Sequence, residues 1–340
     1  MAENQPGHWS CGGLRRGPVA VPSPPHQERT GRWGAPAVII TAILWGTTGV
    51  ASALIPQENP VAVGAASVGV GGLILGLISF SSVVKSFKTP GATKYLLLGS
   101  LGLMFYMPLF YVSVSLTGAA LGTIIAIGSG PLFAGIFEWL VDGRPVTRRW
   151  AASMLTTVSG AGLLLAARED HDSGAGADLL PGLTAGLVAG LTYALYAFAI
   201  GRLIQPCPSR PHGMEHRTVV AAIQGLAALP MLTLLGFTGE STFAAPVWPI
   251  LLYLAVIPTA LGHTLFAFGL GRMKASTATL YTVLEPVVAT VLAVLVLGET
   301  FRPEGWTGFP LVVAGLILVN VRPKSRRKAE SGREVTRARG

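Results

Sequence analysis

Glu285 is the residue of this sequence whose position makes the strongest demand on chemistry. It stands about ten residues from either end of the apolar run 275–297, which as a helix would cross a bilayer and place it near the centre. A charge there costs at least about 2.5–3.5 kcal/mol on insertion scales, so the carboxyl must be neutral, paired or facing water. Two readings follow: a site that binds a proton or a substrate amine, or a protonated Glu hydrogen-bonded between helices. His263, inside the run 247–270, invites the same pair of readings, a proton shuttle or substrate-carboxylate contact against a helix-to-helix hydrogen bond. Trp45, Tyr106, Tyr193, Tyr196 and Tyr281 fall at mid-depth, although such rings prefer the membrane interface. There they need a hydrogen-bond partner or a wet cavity. A pocket of Trp45, Tyr106, Tyr193, Tyr281 and Glu285 would suit small amphipathic molecules. Pro286 frees the carbonyl four residues earlier, at Thr282, beside the carboxyl. Pro131 does the same in the run 118–140, after Gly128, Ser129 and Gly130. Both prolines are expected to kink their helices. Glu138, about one turn from the end of that run, is expected to snorkel to the interface or pair with an Arg.

The elements that would position these groups are apolar on every side. The chain has 340 residues, 51% hydrophobic and 12% charged, where a soluble domain would be about 25% charged. Ten apolar runs of about 20 residues succeed one another, near 35–56, 61–81, 95–115, 118–140, 149–167, 179–201, 217–237, 247–270, 275–297 and 304–321. Barrel strands would alternate apolar and polar residues, so the fold class expected is an all-α integral membrane protein with ten transmembrane helices. The net charge of +9 does not indicate nucleic acid, because the basic residues sit just outside the runs. With the N-terminus in the cytoplasm, 23 of the 25 Lys and Arg fall on the cytoplasmic side. Arg168 and Arg302 alone fall outside. That split predicts both termini inside and a multi-pass protein of the cell (inner) membrane. The polar tails, 1–32 and the basic 324–340, read as disordered and cytoplasmic. An acidic outer loop, 169–178, separates a half at 33–168 from one at 179–323.

The two halves look alike. At an offset of 155 residues Ala120 falls on Ala275, Pro131 on Pro286, Leu140 on Leu295 and Gly143 on Gly298. Five spans per half is an odd number, so the halves would be two inverted five-helix repeats. That is the plan of secondary transporters, with a substrate site near the midplane. The glycines Gly69, Gly71 and Gly72, and the row Gly182, Gly186 and Gly190, read as close helix contacts. No loop ending in Gly-Lys-Ser/Thr occurs, which argues against ATP-driven pumping by this chain. Glu285 and His263 are isolated, without a nucleophile and base or paired metal ligands, which argues against an intramembrane enzyme. No cofactor and no metal is expected. A non-transporting membrane scaffold or lipid-handling protein is the alternative, and it would need no buried Glu.

The stretch Tyr281-Thr-Val-Leu-Glu285-Pro286-Val-Val-Ala-Thr-Val-Leu-Ala-Val-Leu-Val-Leu-Gly298-Glu299 resembles the signature of the EamA family, of the drug/metabolite transporter superfamily. Leu44-Trp45-Gly46 and the Gly-rich last run after Gly305 are similar to the family's pattern too. The resemblance implies export of small metabolites, often amino acids or drugs, by alternating access commonly coupled to protons. It departs at Gly143-Arg144, where the family often carries Gly-Glu, and in the second run, which lacks an Arg near its start. The partners expected are a small-molecule substrate, membrane lipid and, as an option, a second copy of the chain in a homodimer. Glu299 is expected to cap the outer end of its helix.

Overall fold

The computed structural model describes residues 33–55, 58–117, 119–143, 145–167, 179–207, 210, 212–238, 245–298, 300 and 302–320. The tails, the acidic stretch 169–178, Arg144 and Glu299 lie outside the described residues. What is described is all-helical, as a lipid-exposed backbone requires when it must satisfy its own polar groups. The helices are α1 (Gly34–Ala53), α2 (Pro60–Ile78), α3 (Phe80–Phe87), α4 (Ala92–Thr117), α5 (Ala119–Asp142), α6 (Arg148–Ala166), α7 (Leu179–Ile204) and α8 (His216–Thr238). Two interrupted rods follow. In the first, α9 (Trp248–Leu254) widens into a π-helical stretch, Ala255–Gly262, and continues as α10 (His263–Leu270). In the second, α11 (Ala275–Thr282) breaks at Val283–Leu284 and resumes as α12 (Glu285–Leu292), ending in a π turn, Ala293–Leu297. A 3-10 turn, Pro303–Thr307, leads into α13 (Gly308–Asn320).

Among the described residues, eight helical stretches are long and apolar enough to cross a membrane. The runs expected at 149–167 and 304–321 also form helices but are not in that group. The reasons are local. α6 opens on the charged pair Arg148-Arg149, and α13 retains 13 residues of regular helix after its 3-10 turn.

Helix ends follow their residues. The Asn59 side chain accepts from the Val61 N–H at 2.9 Å, and Thr147 accepts from the Trp150 N–H at 3.2 Å. Gly143, just past α5, and Gly298, just past the π turn, both adopt left-handed φ, 65° and 70°. Those two glycines match under the internal offset, so the same terminator closes α5 and the second interrupted rod.

α1 packs against α10, α11 and α12, while α2 packs on α8, α4 and α5 on α7, and α6 on α13. Small residues set these contacts. A Cβ at Gly190 of α7 would lie 2.7 Å from the Ala126 carbonyl oxygen of α5, so these helices meet at backbone distance. The largest core cluster joins Tyr95, Leu96 and Leu103 of α4 to Tyr193, Tyr196 and Ile200 of α7, and to Phe266 of α10.

Candidate functional site

The interruption between α11 and α12 places Glu285 in the first turn of α12. Pro286 follows at a position where a missing N–H does no harm, because the first helical N–H groups have no intrahelical partner anyway. α1 crosses at this point. A Cβ at Gly46 would lie 2.7 Å from Val288 Cβ and 3.1 Å from the Glu285 carbonyl oxygen. The rod is interrupted before Pro286, whereas α5 runs through Pro131 as one helix.

The Glu285 side chain is half-buried. It stands within electrostatic range of three phenols, Tyr106 and Tyr111 of α4 and Tyr193 of α7. Among the described residues no cation and no hydrogen-bond donor meets its carboxyl. The half-buried carboxyl thus stands near the phenols of α4 and α7, and among the described residues its hydrogen-bonding capacity is unused.

Aromatic rings build the wall beside it. Tyr106 and Tyr193 have centroids 5.2 Å apart, and Tyr193 stacks on Phe266 at 6.0 Å. Trp45 fills the angle, 6.2 Å from Tyr193, 5.4 Å from Phe266 and 4.9 Å from His263. The Trp45 indole donates to the Pro258 carbonyl at 3.0 Å, within the π-helical stretch. Such widened turns offer carbonyls that a regular helix keeps for itself. Thr41, one turn earlier in α1, donates to the Gly262 carbonyl at 3.1 Å. The Tyr193 hydroxyl bonds Thr282 Oγ1 at 3.0 Å, tying α7 to the last residue of α11. The Tyr196 hydroxyl bonds His263 Nδ1 at 2.7 Å, which leaves Nε2 as the free edge of a half-buried ring. The Gln224 amide lies beside Tyr196 without closing a well-formed hydrogen bond.

Trp45, Tyr106, Tyr193, His263 and Glu285 thus come together. Tyr281 does not join them. The break at Val283–Leu284 lies between it and Glu285, and its hydroxyl instead accepts from the Asn320 amide of α13. Sequence reasoning passed over Tyr111 and Phe266. A signal existed for Phe266, because His263 and Phe266 on α10, like Tyr193 and Tyr196 on α7, are three residues apart and share a helix face.

Glu138 requires a correction. It does not snorkel, and among the described residues it pairs with no Arg. It is 7% exposed, and its two carboxylate oxygens accept from Ser276 N–H at 3.0 Å and Ser276 Oγ at 2.7 Å. The N-terminus of α11 has no cap from its own flanking residue, and a distant carboxylate supplies one. Other polar ties gather at the same basic end. Arg202 of α7 binds Asp142 of α5 at 2.6 Å. The Arg149 guanidinium caps the carbonyls of Leu318 and Val319 at the end of α13. Arg210 caps the end of α7 through the carbonyls of Arg202 and Leu203, and burial lowers the pKa of its guanidinium.

Comparison with known proteins places this geometry. The sequence profile of the EamA-like transporter family matches residues 32–166 and again 180–321. The uncharacterized transporter YwfM of Bacillus subtilis is 33% identical over 86% of this chain and 96% of its own. The threonine/homoserine exporter RhtA of Escherichia coli K12 is 28% identical over 86% and 92%. A probable terminal-alkyne amino-acid exporter of Streptantibioticus cattleyicolor is 24% identical over 87% and 96%. One solved crystal structure, 21% identical, superposes with a TM-score of 0.68 over 85% of this chain and 96% of that one, a likeness of fold.

Proposed function

Since the chain belongs to the EamA-like transporter family, we propose that it is a proton-coupled secondary exporter of a small amphipathic metabolite, such as an amino acid or drug-like compound. It works by alternating access in the inner membrane, with both termini in the cytoplasm. The observation that carries this reading is the Glu285 carboxyl, half-buried, without a partner among the described residues and near phenols from both halves of the chain. A membrane scaffold has no use for an unpartnered carboxyl at that depth. A transporter does, because the group can hold a proton or a substrate amine in turn. The apolar walls with a few placed polar groups, Trp45, Tyr106, Tyr193, His263 and Glu285, are the usual make-up of a small-molecule site. Relatives that export threonine, homoserine or an alkyne amino acid support the amino-acid class.

The same reading takes α6 and α13 as the fifth and tenth spans, a closely packed pair, so that two five-helix repeats lie inverted to each other. The double profile match and the paired terminators Gly143 and Gly298 support it. Purified protein in liposomes with an imposed pH gradient tests the function. Radiolabelled threonine, homoserine and a panel of apolar amino acids are the probes. The proposal expects gradient-driven flux of at least one of them, abolished when the gradient is collapsed. Absence of flux for every compound would overturn it in favour of a scaffold.

A further inference from the structure

We propose that Glu138 and Ser276 are a gate: a reversible helix cap that holds the basic end shut while the region around Glu285 communicates with the opposite end. This rests on the alternating-access reading. Three observations carry it. The bond joins the two halves, because Glu138 belongs to α5 and Ser276 opens α11, and it is charge-assisted at a helix N-terminus. Beside it lies a cavity of about 320 Å³ lined by both halves, including Glu138, Thr147, Trp150, Lys274, Ser276 and Thr277. This space lets water take over both partners once the bond opens, so the open state leaves neither stranded. Finally, the arrangement is one-sided. α5 packs on α11, whereas among the described residues it makes no comparable packing on α12. Under the internal offset of 155 residues, Glu138 falls on Ala293 and Ser276 on Leu121, so the mirrored positions carry neither a carboxyl nor a hydroxyl.

A merely structural bond and a gate differ in one respect. Breaking a structural bond loosens its own surroundings, but breaking a gate also closes the other end. The full chain in nanodiscs tests this with two thiol reporters, Thr277→Cys in the cavity and Ala289→Cys on the Glu285 face of α12. Each is labelled by a water-soluble maleimide and read by peptide mass spectrometry. In the Glu138→Ala background, Thr277→Cys should label about tenfold faster and Ala289→Cys slower by a similar factor. Glu138→Gln keeps volume and an acceptor but not the charge, and should shift both reporters in the same directions by a smaller factor. Unchanged rates, or a rise at Thr277→Cys with no fall at Ala289→Cys in either background, would overturn the gate. No substrate is needed. Moving reporters without transport would count against the exporter, and transport with unmoved reporters against the gate.

Discussion

The two helices on either side of Glu285's break are held in opposite ways. In α11 every residue but Thr277 is buried, and its ends are tied by Ser276 to Glu138 and by Thr282 to Tyr193. In α12 only Pro286, Val287 and Thr290 are buried. The π turn that follows leaves Leu295 at 75% and Val296 at 59% exposed. α11 is thus an anchor, and α12, the less buried of the two, carries the Glu285 carboxyl. A group that must exchange partners belongs where neighbours do not already claim it. The break lets one apolar run serve both purposes.

Substitutions along this rod should therefore separate stability from transport. The largest effect is expected at Gly46, where α1 touches α12. Gly46→Val should lower stability by about 1–3 kcal/mol through overpacking and also stop transport, read by thermal unfolding and liposome flux. Next is Thr282→Val, which removes the partner of Tyr193. Losing a buried hydrogen bond of about 1 kcal/mol should slow flux about fivefold, since Tyr193 stands beside Glu285. Tyr281→Phe should lower stability by a similar amount, about 1 kcal/mol, yet alter flux less than about twofold, because Tyr281 serves α13. Equal flux losses at Thr282 and Tyr281 would erase the distinction between the Glu285 surroundings and the anchor. The smallest effect is expected for Leu295→Ala, within about 0.5 kcal/mol in stability and without change in flux.

Much of this was legible in the residues. Depth within an apolar run singled out Glu285 and His263, and the rings Trp45, Tyr106 and Tyr193 could be grouped with them because rings at mid-depth require partners. What the sequence concealed is long-range or rotational. Ser276 lies 138 positions from Glu138, so nothing local announces that one caps the helix of the other. Tyr281 stands one ideal turn before Glu285 and reads as its neighbour until the break at Val283–Leu284 intervenes. The widened stretch Ala255–Gly262 is invisible to periodicity, although Pro258 within it hints at an irregular ladder. Hydropathy marked α6 and α13 as spans, but the Arg148-Arg149 pair and a 3-10 entry keep them from the length and apolarity of the other helices.

The account turns on the half-buried carboxyl of Glu285, which has no partner among the described residues. The most direct measurement is flux of the active compound by Glu285→Gln in liposomes under a pH gradient, alongside its thermal unfolding. Gln keeps the size of the side chain and cannot exchange the proton, so flux should fall to background while unfolding stays at the wild-type temperature. Wild-type flux from the Gln variant, with the same dependence on the gradient, would contradict the account.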